Sequence, residues 1–234
     1  MTTEYDDQII EAREAGRFTE LFDLLITRGV VYSDGMFYDL ALRDANEAVE
    51  LIEGENKGRI GITDNYENAY FLRGLVYEGL NEIDLALSSL EDAIAVNRVL
   101  NNGVETQKAA GILSQMATLQ YAKGDTAEGD FSMSSAISIH RKSANEDDLR
   151  PMLYLLVSLK TRGKSYDTQN RLDDALLDYS EAIELIRSIS MYINMMSNEG
   201  YKELLEWRAS IYQRLGRQIE ADKDLEEAKS ISPL

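Results

Sequence analysis

Apolar and small side chains recur along this chain at steps of three and four residues, the spacing of one face of an α-helix. Residues 172–186 show the pattern most clearly, at Leu172, Ala175, Leu176, Tyr179, Ala182, Ile183 and Ile186. The chain has 15 glycines but only 2 prolines, which favours long helices over a turn-rich all-β fold. The pattern therefore predicts an all-α protein of amphipathic helices.

One helical template occurs five times. Each copy has a large residue, then an arginine or methionine three positions later, then a small residue, then a tyrosine or glutamine. The copies begin at Leu25, Tyr70, Leu113, Leu159 and Leu205. In every copy an alanine lies 19 positions after the small residue, as Ala93 does after Gly74. Such a constant interval predicts helix hairpins whose two axes approach closely at the small residues.

This motif resembles the tetratricopeptide repeat, and the resemblance covers about residues 22–234 and includes Pro233. It implies a right-handed α-α superhelix, a solenoid of five helix-turn-helix repeats plus an N-terminal helix, about eleven helices in all. The repeats are spaced about 45 residues apart rather than 34, which is similar to kinesin light chains and some bacterial peptide-responsive regulators. The third repeat departs most from the consensus, at Met116, Ala117 and Gln120.

We expect a single domain over residues 1–234. Residues 1–20 would form a capping helix, and the repeats would span about residues 22–53, 67–99, 110–141, 150–190 and 201–234. The long spacing predicts enlarged connections over residues 54–65, 101–106, 142–149 and 190–200. The last of these contains Met191, Met195 and Met196, which we expect to pack against the core, an adaptable binding surface being the alternative.

The chain carries 42 acidic against 24 basic residues, a net charge of −18. This charge repels phosphate backbones and anionic lipids, so we expect neither nucleic-acid nor membrane partners. The longest apolar run, residues 152–157, is far shorter than the roughly 20 residues of a membrane-spanning helix. The acidic N-terminus is unlike a signal peptide, and with no cysteine in the chain it favours a cytoplasmic location.

Candidate chemistry is sparse. His140, the sole histidine, is expected in solvent at a helix C-terminus and has no neighbours that would make a catalytic site. Gly163-Lys164-Ser165 imitates the end of a phosphate-binding loop, but Ser158 stands where that loop needs glycine. No clustered histidines or cysteines suggest a metal. We therefore predict a non-enzymatic protein without cofactor, metal or catalytic residues.

Arg28, Arg73, Arg162 and Arg208 recur directly before the small residue of the template. We interpret them as packing residues whose stems cover the neighbouring helix while their guanidinium groups pair with carboxylates. A row of anion-binding arginines is the alternative.

The resemblance also implies a peptide-binding groove, since the first helix of each tetratricopeptide repeat lines the concave surface. Carried over by register, its lining residues are Asn68, Phe71, Leu75, Ser114, Thr118, Tyr121, Lys160, Lys164, Glu206, Ser210 and Gln213. Phe71, Leu75 and Tyr121 would supply apolar anchoring. Lys160 and Lys164 lie four apart on one helix face and could approach the same anion.

The predicted function is a protein-protein interaction module, a scaffold or adaptor that binds a peptide or protein segment in this groove. We expect a monomer or a weak homodimer. The alternative is a self-associating structural protein that uses its uncapped C-terminal end, the helix over residues 217–231, because nothing in the sequence follows that helix to cover it.

Overall fold

The computed structural model describes residues 4–54, 66–144, 148–190 and 198–231. The predicted connections at 54–65, 142–149 and 190–200 and the three methionines between residues 191 and 196 therefore lie wholly or partly outside the described residues, as does Pro233. The described residues form eleven α-helices and no strand, which confirms the all-α class. In chain order the helices are α1 (Asp6–Glu14), α2 (Phe18–Asp34), α3 (Tyr38–Glu53), α4 (Glu67–Gly79), α5 (Ile83–Leu100), α6 (Gln107–Lys123), α7 (Thr126–Ser143), α8 (Arg150–Thr168), α9 (Leu172–Ser190), α10 (Asn198–Arg214) and α11 (Gln218–Ser230).

The chain divides into two compact units, residues 1–119 and residues 120–234. The single domain expected from the sequence stays a prediction.

In the first unit, α1 packs on α2, α2 on both α3 and α4, α3 on α4, and α4 on α5. The short α1 buries Ile9 and Ala12, as expected for a helix that covers the edge of the first repeat. Helix α2 starts at Phe18, whose side chain packs on the core. Leu21, Phe22 and Leu25 of α2 form the centre of that core with Leu90 of α5.

In the second unit, α7 packs on α8, α8 on α9, α9 on α10, and α10 on α11. The crossing of α8 and α9 shows why the template needs a small residue. A Cβ atom on Gly163 would lie 2.7 Å from the ring of Tyr179, so only glycine allows this approach. Ala175 and Ala182 of α9 are fully buried on the same helix.

The turns between paired helices use a left-handed residue. Asn81, Gly124, Asn170 and Gly216 all have positive φ, as expected of the residue that ends such helices. The first repeat places Met36 there, with φ of 61° and a side chain that is 75% exposed. Methionine lacks the conformational freedom of glycine, so this turn stores backbone strain.

Candidate functional site

An arginine paired with a buried aspartate joins the two helices of three repeats. Arg162 of α8 donates from Nε and Nη2 to the two carboxylate oxygens of Asp178 on α9, at 2.8 and 2.7 Å. Arg28 makes the same paired bonds to Asp44, and Arg208 makes them to Asp224. Each pair spans sixteen residues, so both partners belong to one repeat. Such paired, charge-assisted hydrogen bonds are about twice as strong as neutral ones.

The remaining guanidinium nitrogen of these arginines reaches the preceding helix. Nη1 of Arg162 donates to Ser134 of α7 at 2.8 Å, and Nη1 of Arg208 donates to Ser180 of α9 at 3.3 Å. In the first repeat, Arg28 instead donates to Asp6 of α1 at 2.8 Å. These arginines are therefore occupied by packing contacts, as the sequence predicted, and the alternative of an anion-binding row is wrong for them.

The second and third repeats lack the complete pair. In the second repeat Ser89 stands at the aspartate position. Arg73 donates from Nε to the Ser89 hydroxyl oxygen at 3.2 Å and from Nη2 to Asp92 at 3.0 Å. The third repeat has Met116 and Ser132 at the two positions, so both the charge and its partner are missing together. Loss of one partner alone would leave an uncompensated buried charge.

The predicted groove residues of the first unit lie on α4 and α6. Asn68, Phe71, Leu75 and Ser114 are partly exposed and Thr118 is exposed. Phe71 packs against the core of the unit. The Thr118 hydroxyl donates to the backbone oxygen of Ser114 at 3.0 Å, within α6.

Tyr121, the predicted anchor of the third repeat, is engaged within its own repeat. Its hydroxyl donates to Asp130 of α7 at 3.0 Å, and its ring lies against Gly129, where a Cβ atom would approach to 2.5 Å. Burial, together with the hydrogen bond to Asp130, raises the pKa of Tyr121. The signal in the sequence was Gly129 itself, which stands where the other repeats have alanine and so makes room for the ring.

Lys160 and Lys164 of α8 converge on a residue that the sequence pattern did not reveal, Trp207 of α10. Their ammonium nitrogens lie 5.3 and 5.5 Å from the centroid of the indole ring. Lys160 also contacts Glu203, one turn earlier on α10, at 3.1 Å. We call Lys160, Lys164 and Trp207 the lysine–tryptophan cluster.

Buried aromatic packing lies behind the cluster. The ring of Trp207 packs against Tyr179 of α9 with 5.7 Å between centroids, and Tyr179 is buried against Gly163. Trp207 itself is only partly exposed, whereas Lys164 is exposed. An aromatic face attracts cations within about 6 Å of its centroid, so the indole holds two ammonium groups that would otherwise repel each other. The arrangement concentrates positive charge at one place on an acidic protein.

The other predicted residues on α10, Glu206, Ser210 and Gln213, are exposed. Glu206 lies 3.9 Å from Lys202 of the same helix. Glu203, rather than Glu206, is the carboxylate of α10 that contacts the cluster.

The surroundings of His140 differ from the solvent-exposed position that the sequence predicted. It lies near the end of α7, as predicted, but it is buried rather than in solvent, and its ring lies 5.5 Å from that of Tyr154 on α8. Burial lowers the pKa of His140, because the charged imidazolium loses its hydration. The favourable interaction of a cation with the helix end is therefore outweighed by desolvation.

Across the described ranges, no group of three or more histidine, cysteine, aspartate or glutamate side chains is arranged to hold a metal ion. None of the described helices is long and apolar enough to cross a membrane.

Comparison with known proteins identifies the repeat. The family model of the tetratricopeptide repeat matches residues 67–99 and 203–233, which contain the second and fifth copies of the template. No curated protein matches the sequence. The resemblance on which the fold prediction was based is thus confirmed.

Solved structures of repeat proteins share the fold at low sequence identity. BtubC (BKLC) from P. vanneervenii is 16% identical, with a TM-score of 0.74 over 98% of this chain and 91% of that one. A putative kinesin light chain from Podosopora anserina with nearly identical TPR-like repeats is 13% identical, with a TM-score of 0.65 over 88% and 92%. YrrB, a TPR protein with an unusual peptide-binding site, is 16% identical, with a TM-score of 0.59 over 96% and 92%. The described chain therefore has the fold of tetratricopeptide-repeat proteins.

Proposed function

We propose that this protein is a non-catalytic interaction module whose second unit binds an acidic peptide segment at the lysine–tryptophan cluster. The single observation that carries the proposal is the convergence of two lysine ammonium groups on one partly exposed tryptophan. The general scaffold role is supported by the fold, and YrrB is an example of a protein of this fold that has a peptide-binding site.

The chemistry of the cluster favours a carboxylate ligand beside an apolar group. The exposed Lys164 can donate to a ligand carboxylate without breaking a described ion pair, whereas Lys160 already pairs with Glu203. The open part of the indole ring offers apolar surface next to the charges. A segment with an acidic residue followed closely by an apolar or aromatic one would satisfy both features.

This proposal modifies one expectation for the groove and leaves the others as they stand. Tyr121 is committed to Asp130, so we assign it to structural support rather than to anchoring. Phe71 and Leu75 remain a prediction for apolar contacts on the first unit, as do Asn68, Ser114 and Thr118 for polar ones.

Fluorescence gives a direct test, because Trp207 is the only tryptophan in the chain. The probe is the peptide acetyl-Asp-Phe-Glu-Asp-Phe-Glu-amide, with acetyl-Asn-Phe-Gln-Asn-Phe-Gln-amide as its uncharged counterpart. We expect the acidic peptide to change the emission of Trp207 saturably and the amide peptide to do so far more weakly. Equal binding of both peptides would contradict recognition of charge.

Charge reversal locates the site. The double variant K160E/K164E should weaken binding of the acidic peptide by about tenfold or more, since charge-assisted contacts are worth about 1.5–3 kcal/mol. Lys223 and Lys229 are both exposed on α11, so K223E/K229E makes the same change in net charge elsewhere. Similar losses in the two double variants would show that only the overall charge matters.

Self-association through α11 is the second hypothesis. The helix exposes Asp222, Lys223, Glu226 and Lys229, with Ile219 as its one strongly exposed large apolar residue among the described positions. That charged face favours solvent over a second copy. Light scattering over a dilution series tests it, because a mass that rises with concentration would support association.

A further inference from the structure

A small cavity lies in the first unit, whereas the lysine–tryptophan cluster belongs to the second. The volume of the cavity is about 350 Å³, which falls at the lower end of the range for small-molecule pockets. The described residues that line it belong to the beginning of α4, the end of α5 and the beginning of α6 with the loop before it. They include Glu67, Asn97, Leu100, Asn101, Thr106 and Lys108.

Glu67 is unusual in this cavity because its carboxylate is buried and only half satisfied. The residue is 2% exposed, and Oε1 lies 2.8 Å from Nζ of Lys108. Oε2 is buried and has no hydrogen-bond partner. A buried charged oxygen without a donor is costly, so a donor from outside the chain is expected to fill the position.

The polar side chains that line the cavity with Glu67 are held by hydrogen bonds of their own. Asn97 is buried, and its Oδ1 accepts from the Thr106 hydroxyl at 2.9 Å. The same Thr106 oxygen accepts from the backbone N–H of Ala109 at 3.1 Å and so caps α6. Asn101 donates from its side-chain nitrogen to the backbone oxygen of Asn97, which leaves its amide oxygen as an acceptor. Amide oxygens can accept from a positively charged donor, and Leu100 adds an apolar side to the cavity.

We propose that this cavity binds a primary ammonium group. An ammonium carries three donors on a compact charge, which suits one free carboxylate oxygen among amide oxygens. A guanidinium is less suitable, because its paired contact requires both carboxylate oxygens, as at Asp44, and Lys108 already holds one of them. The first unit is also the more acidic one, with 22 acidic against 9 basic residues, which favours the binding of cations to that unit.

Two sources could supply such a group, a free alkylamine or the lysine side chain of a peptide. Calorimetric titration of the full-length protein with n-butylammonium and with acetyl-Gly-Lys-Gly-amide compares them. Trimethylbutylammonium has the same charge but no N–H donor, and it is the matched negative probe. We expect saturable binding of butylammonium that is at least several-fold tighter than binding of the trimethyl analogue. A tripeptide that binds as tightly assigns the cavity to a lysine side chain, and a tripeptide that fails where butylammonium binds assigns it to a free amine.

Three variants test whether butylammonium binds at Glu67. E67Q keeps the shape but removes the charge, and we expect it to weaken butylammonium binding by about tenfold or more. E50Q on α3 removes an exposed carboxylate elsewhere in the same unit and should leave binding unchanged. L100W fills the cavity but keeps Glu67, and we expect it to abolish butylammonium binding while its circular dichroism spectrum stays unchanged. This second variant tests the cavity separately, in case E67Q fails to fold. If butylammonium does not bind, or binds equally to the wild type and E67Q, the proposal fails. These results are independent of the lysine–tryptophan cluster.

Discussion

Arg162 and the buried Asp178 are sixteen residues apart and form a paired contact that Arg28–Asp44 and Arg208–Asp224 reproduce in two other repeats. Met116 and Ser132 occupy the same two positions in the third repeat. Replacement of Asp178 by alanine should lower the free energy of unfolding by about 3–5 kcal/mol, because it strands the arginine charge in the core. The double variant R162M/D178S copies the third repeat and should lose much less than the sum of R162M and D178S.

Urea denaturation of the wild type, the two single variants and the double variant measures this coupling. The exposed pair Arg171–Asp174 is the control, and its disruption should cost about 0–1 kcal/mol. Additive losses at Arg162 and Asp178 would show that the two side chains do not act as a unit.

His140 should make stability depend on pH. Its pKa in the folded chain is lowered by burial below the ordinary value of 6.5, so the unfolded chain binds a proton that the folded chain does not. The contribution is complete above pH 6.5 and is lost as the pH falls from there towards the folded pKa. The slope for one proton is at most about 1.4 kcal/mol per pH unit. Thermal unfolding between pH 7.5 and 5 should show a weaker fall for H140Q than for the wild type, and identical slopes would contradict the prediction.

Met36 should be replaceable with a gain in stability. It holds a positive φ at a turn where the other four repeats use asparagine or glycine. M36G should therefore raise the free energy of unfolding by about 1 kcal/mol, because the left-handed conformation costs a side chain with a Cβ atom roughly that amount. M36A keeps the Cβ atom and should gain nothing, so a comparable rise in Tm for both variants would assign the effect to the exposed side chain instead.

Two glycines inside helices should respond in opposite directions to alanine. A Cβ atom at Gly163 would meet the Tyr179 ring at 2.7 Å, whereas one at Gly111 of α6 would meet nothing within 4 Å. G163A should lose about 1–3 kcal/mol through overpacking. G111A should gain about 0.5–1 kcal/mol, since glycine is a poor residue in a helix. Melting temperatures of the two variants test the pair, and a gain at Gly163 would mean that α8 and α9 can move apart at little cost.

The periodicity predicted the helices well because each hairpin is closed by local packing. The constant interval from small residue to alanine reflects contacts within one repeat, and the crossing at Gly163 shows them. The aspartates that pair with the arginines were visible at a fixed distance, but Ser89 in the second repeat hid the regularity.

The candidate site was harder to predict because it depends on contacts between repeats. Lys160 and Lys164 were identified from their spacing, but register pointed to Glu206 and Ser210 rather than to Trp207. Helix α9 packs against both α8 and α10, and this packing brings the indole of Trp207 close to the lysines of α8. No local sequence pattern encodes such a contact between two repeats. His140 was misjudged for the same reason, since Tyr154 that covers it comes from the next helix pair.

The absence of the arginine–aspartate pair from the third repeat has a consequence for local unfolding. Stability in a repeat array is a sum of terms for each repeat and its neighbours. The third repeat joins its helices through the neutral donor Tyr121 rather than through an arginine–aspartate pair, so we expect a break in cooperativity there. That repeat begins on α6, the helix that ends one compact unit and begins the other. Amide hydrogens of α6 and α7 should therefore exchange through lower-energy openings than those of α8 and α9. A folded half-molecule could then persist at intermediate denaturant while the other half has already lost its structure.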